Sequence, residues 1–313
     1  MSTFPELTND AKIGWIGAGR MGTEMALRLL HQGWKIEIYN RTRSKLEPLV
    51  SAGAVAADSI AELSSCDLVV VSVASSADFE AVMLGEGGLL TQATVPKVIV
   101  DCSTVSMESS GKVRTYAADK GAALLAVPVS GNPKVARVGR LTMAVSGPEE
   151  AYRYAAPILD AIGAGVTYVG DGEAARLVKL CHNIFLGVVT QSMAEITALA
   201  EKGGVPRSMF LDYINKSVMG STFSKYKTPA FVNLDFHATF TSKLLRKDFE
   251  LGLAEARSLQ VPMQTAALVH QIVQGLIGLG HGDDDFATLL LVQAAASGMQ
   301  LEGENVEVQD GLD

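Results

Sequence analysis

The residues able to do chemistry begin with Gly17-Ala18-Gly19-Arg20-Met21-Gly22, which follows the apolar run 13–16 and opens into residues 25–30 at helical spacing. A strand, a tight turn and a helix start are the setting that a dinucleotide fingerprint needs. Gly17 would allow the turn, Gly19 would let the backbone approach a pyrophosphate, and Gly22 would let the helix pack close to the strand. The N–H groups of the helix start, at Arg20 and Met21, would then hold phosphate oxygens. The chain has 30 glycines, so the spacing alone says little; the flanking strand and helix give it meaning.

About twenty residues further on, an alternating stretch at 34–39 ends in Asn40-Arg41-Thr42-Arg43. A free ribose 2′-hydroxyl asks for Asp or Glu at this junction, whereas a 2′-phosphate asks for a cation. The carboxylate is absent and a cationic fork is present, which favours NADP over NAD. A solvated basic loop would read the same way.

A third candidate lies on an apolar, proline-free stretch from 173 to about 202, where Lys179 and Asn183 stand four residues apart and share a helical face. A helical lysine is usually solvated. Here its neighbours Leu177, Val178, Leu180 and Cys181 are apolar, which places the ammonium near a buried wall. Burial lowers an amine's pKa and fits it for proton exchange near neutral pH, and Asn183 could orient a substrate hydroxyl toward it. His182 reads as a packed helix histidine. Ser103 and Thr104 follow a buried strand, where such sheets place ligand contacts, but hydroxyls there also cap helices. The stiff loop Pro128-Val129-Ser130-Gly131-Asn132-Pro133 fits plain turn chemistry or an anion-binding loop. Phe240 reads as a core residue and Lys247-Asp248 as a surface pair. No His, Cys, Asp or Glu set has metal-ligand spacing.

The elements that must position these residues are legible. Apolar runs at 68–74 and 98–101, separated by helical segments, mean a parallel sheet buried on both faces. Strand candidates at 123–127, 141–146 and 165–169 follow. After 173 everything is helical, with segments at 207–216, 243–258, 263–279 and 284–297. The expected fold is α/β, a Rossmann-type doubly wound sheet, joined by a long helix to an all-α C-terminal domain. The expected divisions are a nucleotide-binding domain at 1–172, a linking helix at 173–203, a helical domain at 204–298 and an acidic, mobile tail at 299–313.

Bulk properties exclude several classes. A chain of 313 residues with 48% hydrophobic and 19% charged content is globular. A net charge of −8 argues against nucleic-acid or anionic-membrane partners. Three separated cysteines suit a reducing compartment. The first twelve residues lack a signal-peptide pattern, and no run of about 18 uninterrupted apolar residues occurs. The expectation is a soluble cytoplasmic protein.

Taken together, the motifs resemble the β-hydroxyacid dehydrogenases, which include 3-hydroxyisobutyrate dehydrogenase, tartronate semialdehyde and glyoxylate/succinic semialdehyde reductases and, more distantly, 6-phosphogluconate dehydrogenase. The similarity runs over about residues 12–298. Gly17–Gly22 matches the glycine motif, Asn40-Arg41-Thr42 that of NADP-preferring members, Asp101-Cys102-Ser103-Thr104 the Asp-x-Ser-Thr motif, and Pro128-Val129-Ser130-Gly131 the substrate loop. Gly170-Asp171-Gly172 followed by Lys179-Leu180-Cys181-His182-Asn183 matches the catalytic helix. The resemblance implies that Lys179 is the acid/base, that Ser130, Gly131, Asn183 and Asp248 bind substrate, and that Thr104, Phe240 and Lys247 lie at the cofactor. It also implies a dimer or tetramer. Two features depart from it: Asn132 stands where the family has a glycine approaching the substrate carboxylate, and Ala126-Val127 replaces an acidic position. Lys134 and Arg137 could add an anion contact or face solvent.

The resulting expectation is reversible hydride transfer between NADP(H) and a small 3-hydroxy acid or its semialdehyde. Two rivals use the same scaffold. An imine reductase would dispense with Lys179, and a non-catalytic NADP-binding interaction protein would bind NADPH without turnover.

Overall fold

The computed structural model describes residues 7–311. Residues 1–6 of the expected first domain and 312–313 of the expected tail lie outside it. The chain divides into two compact units, one ending at Lys179 and one beginning at Leu180.

The first unit is built on a six-stranded parallel sheet of β1 (Ile13–Ile16), β2 (Ile36–Tyr39), β3 (Val55–Ala56), β4 (Leu68–Val71), β5 (Val98–Asp101) and β6 (Ala123–Ala126). Their order is β3-β2-β1-β4-β5-β6, so the direction of winding reverses between β1 and β4. Ligands of such sheets sit at the carboxyl ends of the strands beside that switch point. β1, β4 and β5 are buried at every residue, as their unbroken apolar runs require of strands covered on both faces. The covering helices are α1 (Arg20–His31), α2 (Glu47–Ser51), α3 (Ser76–Leu84) and α4 (Met107–Asp119). Leu63, Phe79, Met83, Leu90 and Val113 pack one face of the sheet into a continuous core.

A second, smaller sheet was not anticipated as a separate layer. β7 (Val129–Ser130) precedes the short helix α5 (Pro133–Arg137), and β8 (Leu141–Val145) and β9 (Gly163–Tyr168) flank α6 (Glu149–Ile162). β8 pairs antiparallel with β7 and parallel with β9. The last three strand candidates are therefore divided: the first joins the parallel sheet as β6, while the other two form the core of this separate one. α6 also carries Pro157 inside the helix, which hides it from a reading that treats proline as a breaker.

α7 (Ala174–Lys202) is one unbroken 29-residue helix. By length and mean hydropathy (1.2 over its most apolar 18 residues) it could cross a membrane, yet half of that window is buried inside the protein. The sequence rule of an uninterrupted apolar run missed this because polar residues punctuate the helix. The second unit continues with α8 (Arg207–Lys216), α9 (Thr222–Asn233), α10 (Ser242–Ser258), α11 (Gln264–Gly278) and α12 (Leu289–Ala296). α9 was overlooked because Pro229 lies inside it. Leu211, Phe231, Leu245, Phe249, Val273 and Leu290 form its core.

The acidic tail makes contacts that its composition did not suggest. The Glu304 carboxylate accepts from the Arg207 amide at 2.6 Å, the Arg207 guanidinium donates to the Glu302 carbonyl, and Asn233 exchanges hydrogen bonds with the Val306 backbone. Leu301 and Val308 pack on the helical core. A fully buried Arg207 whose partners include the tail supplies an anchor that local composition does not reveal.

Candidate active site

The glycine turn divides its labour as the motif requires. Gly17 has φ +106°, and a Cβ there would stand 2.1 Å from the Ser72 carbonyl oxygen. A Cβ on Gly22 would stand 2.3 Å from the Gly17 oxygen, so α1 can approach the turn only through a glycine. A Cβ on Gly19 would meet nothing within 4 Å. That open space lies at the N-terminus of α1, whose first residues are exposed Arg20 and half-buried Met21. Trp15 braces the turn by donating from Nε1 to the Gly17 oxygen at 2.9 Å.

Asn40 ends β2 and acts on the turn as well. Its Oδ1 accepts from the Ala18 amide at 2.9 Å, and its Nδ2 donates to the Thr42 carbonyl at 2.8 Å. A cleft of about 330 Å³ runs over Gly17 and Gly19 and is walled by Asn40, Arg41, Thr42 and Lys45. Arg41 pairs with Asp78 across its rim at 3.2 Å and leaves most of its side chain in water. Arg43 pairs instead with Asp58 and is not in this wall. Lys45 was overlooked, since it lies past the junction, in the one-turn helix Arg43–Leu46.

At the end of β5, Asp101 is fully buried. Its Oδ1 accepts from the Ser103 amide at 3.0 Å and its Oδ2 from Arg176 at 2.5 Å. Ser103 Oγ accepts from the Val73 amide, which ties the ends of β4 and β5 together. Arg176, in the first turn of α7, also donates to the Ser103 carbonyl and to Glu173, and Glu173 accepts from Arg114. Half-buried Thr104 follows directly. Sequence reading missed Glu173, Arg176 and Arg114; charges on a helix start look solvated until the strand that pairs with them is known. Burial, reinforced by Asp101, pushes the Cys102 thiol far above its ordinary value and keeps it a neutral thiol.

In the loop after β7, Ser130 is half-buried and Gly131 has φ +133°. A Cβ on Gly131 would stand 2.6 Å from Leu141 and 2.8 Å from Val135. Asn132 does not act as a substitute for a backbone approach. Its backbone is extended and its Oδ1 accepts from the Val135 amide at 3.0 Å, capping α5. Arg137 grips Glu24 on α1 with both Nε and an η nitrogen and leaves most of its side chain in water.

Lys179 is half-buried on α7. The apolar neighbours in sequence do not form one wall, because Val178 and Cys181 are exposed while Leu180 is buried. In the helical unit, Asn183 is buried and donates from Nδ2 to Asp248 Oδ2 at 2.5 Å, and its Oδ1 lies 3.0 Å from His182 Nδ1. Lys247-Asp248 is no surface pair: Asp248 is 1% exposed, with the Lys247 ammonium 3.5 Å from its Oδ1. Phe240 packs edge-on against Phe286 at 5.9 Å. Its segment is held by a buried pair that sequence reading overlooked. Asp285 accepts from the Lys227 ammonium at 2.5 Å, from both the amide and hydroxyl of Thr239, and from the Phe240 amide. Burial alone would raise the Asp285 carboxyl; the Lys227 charge and these donors outweigh it and hold it below its ordinary value. Among the described residues no group of three or more His, Cys, Asp or Glu is placed to hold a metal.

Known proteins resemble this chain over most of its length. Residues 12–170 match the NAD binding domain of 6-phosphogluconate dehydrogenase, and residues 172–293 match the family described as NAD-binding of NADP-dependent 3-hydroxyisobutyrate dehydrogenase. The chain is 32% identical over 299 residues to 2-(hydroxymethyl)glutarate dehydrogenase of Eubacterium barkeri, covering 95% of this chain and 99% of that one. It is 31% identical over 268 residues to 3-hydroxyisobutyrate dehydrogenase of Pseudomonas aeruginosa, covering 83% and 90%. The crystal structure of 3-hydroxyisobutyrate dehydrogenase from Salmonella typhimurium superposes with a TM-score of 0.81 at 25% identity, covering 90% of this chain and all of that one.

Fold, glycine turn and cleft thus define an NAD(P)-dependent oxidoreductase. The chain belongs to the β-hydroxyacid dehydrogenase family. Its residues fit such a dinucleotide: the space at Gly19 admits a diphosphate against the amides of α1, and Arg41, Thr42 and Lys45 offer donors further along the cleft.

Proposed function

We propose that this enzyme reversibly oxidises a small 3-hydroxy acid to its semialdehyde with NADP. Preference for the 2′-phosphate is supported by Arg41 and Lys45 in the cleft wall and by Asn40, a neutral side chain occupied with the turn, where NAD enzymes carry a carboxylate. When bound, the nicotinamide supplies or accepts the hydride. Lys179 removes the hydroxyl proton in oxidation and returns it to the carbonyl oxygen in reduction. Asn183 fixes the geometry of that oxygen, and Ser130 with the Gly131 amide holds the substrate carboxylate. The family resemblance assigns Thr104, Phe240 and Lys247 to the cofactor. The observation that carries this reading is the four-residue spacing of Lys179 and Asn183 on a single continuous helix, which puts an amine and an amide on one face.

Self-association is part of the reading. Phe185, Ile196 and Leu199 leave an apolar stripe on α7 exposed, as a dimer or tetramer would use. Three unpaired cysteines fit a cytoplasmic setting.

NADPH oxidation against a panel of small aldehydes and cyclic imines tests the assignment. Turnover confined to carboxylated aldehydes supports it. Turnover on cyclic imines alone would replace it with imine reduction, and tight NADPH binding without any turnover would replace it with a binding role.

A further inference from the structure

We propose that Asp248 acts through Asn183, as a positioning residue that locks the amide with an N–H directed at the substrate oxygen, and so makes the site select a carbonyl over an iminium. The inference deepens the function proposed above and rests on it for the placement of Asn183 at the substrate.

The lock follows from hydrogen-bond polarity. Asp248 is buried, and one of its carboxylate oxygens has no hydrogen-bond partner, with the Lys247 ammonium 3.5 Å away. An ionised carboxylate only accepts. The 2.5 Å contact with Asp248 Oδ2 must therefore come from the amide nitrogen of Asn183, which settles which end of the amide is which. Asn183 Oδ1 then faces His182 Nδ1, and at 3.0 Å that nitrogen must be the donor. The lock lies at the Asp248 end: a flipped amide would set two acceptor oxygens against each other at 2.5 Å, whereas the imidazole could follow by changing tautomer. Nδ2 carries two hydrogens and spends one on Asp248. The other is the group that Asn183 can offer to a ligand.

A donor discriminates. A carbonyl or hydroxyl oxygen has lone pairs to accept it; a protonated imine nitrogen has none and would face an N–H with nothing to bond. The same logic removes Asp248 from direct contact with a carboxylate substrate, because two buried like charges repel.

Two substitutions separate this role from direct contact and from packing. Asp248→Leu removes the acceptor and keeps the branched shape; Asp248→Asn removes the charge but keeps an oxygen able to accept from Asn183. For semialdehyde reduction, Asp248→Leu should lower kcat by roughly 100-fold, the effect of losing one aimed donor at a reacting oxygen, with NADPH affinity unchanged. The aldehyde-to-imine rate ratio should fall with it, and Asp248→Asn should restore most of both. A side-chain amide NMR signal provides a readout apart from turnover: the proton shared by Asn183 and Asp248 should resonate downfield in the native protein and in Asp248→Asn, and lose that shift in Asp248→Leu. Equal damage from Asn and Leu, or an amide signal indifferent to both, would overturn the proposal. If the native enzyme reduced no carbonyl, the functional assignment would fall while the amide signal still decided whether the lock exists.

Discussion

Arg176 and Asp101 meet at 2.5 Å with both side chains shut away from water. The pair fastens the first turn of α7, three residues before Lys179, to the end of β5, and the same guanidinium holds the Ser103 carbonyl. Breaking a buried pair from one side strands the other charge. Arg176→Met should therefore destabilise the protein by about 3–5 kcal/mol. A denaturant midpoint within error of the native one would show that the pair is not buried as described.

The three glycines of the turn predict two different outcomes for the same substitution. Gly22→Ala forces a methyl against the Gly17 carbonyl and should lower both stability and NADPH affinity. Gly19→Ala meets no protein atom, so its melting temperature should stay near native while its Kd for NADPH rises at least roughly tenfold from loss of phosphate space. Paired thermal melts and fluorescence titrations check this.

Arg41 is mostly solvated and its bond to Asp78 contributes little to stability. Arg41→Ala should leave the melt unchanged. Loss of a charge-assisted contact to the 2′-phosphate is worth about 1.5–3 kcal/mol, so the preference for NADPH over NADH should fall by roughly 10- to 150-fold. An unchanged ratio of the two Kd values would assign the phosphate to other residues.

Asp285 sets an acid limit on the helical unit. Its carboxyl is held below its ordinary value of 3.8, so its contribution to stability is complete above that pH and is lost as pH falls through the lower folded value. Stability measured from pH 5 down to 2 should decline with this group. Asp285→Asn should flatten that part of the curve and, by leaving the Lys227 charge buried without its anion, lower stability throughout.

Much of this was legible because the determining signals are local. The glycine turn, the unbroken apolar runs of β4 and β5 and the long helical period of α7 each declare themselves within a few residues. What stayed hidden was pairing at a distance. Arg176 reads as an exposed helix charge until Asp101, 75 positions earlier, lies against it. Lys227 and Asp285 are 58 apart, and Asp248 takes its hydrogen bond from Asn183, 65 positions earlier. Asn132 looked like a defect in a substrate loop because its capping bond to Val135 needs α5, a helix too short to show a period. Pro157 and Pro229 hid two helices for the opposite reason, that tertiary packing tolerates a break that propensity forbids.

In the proposed reaction Lys179 moves the proton. The most direct measurement is NADPH oxidation by Lys179→Ala on a carboxylated aldehyde that the native enzyme reduces, with NADPH binding titrated in parallel. The expected result is a loss of at least roughly 100-fold in kcat, the usual contribution of a positioned acid/base, at unchanged NADPH affinity. Full activity in the mutant would contradict it and place the proton donor elsewhere.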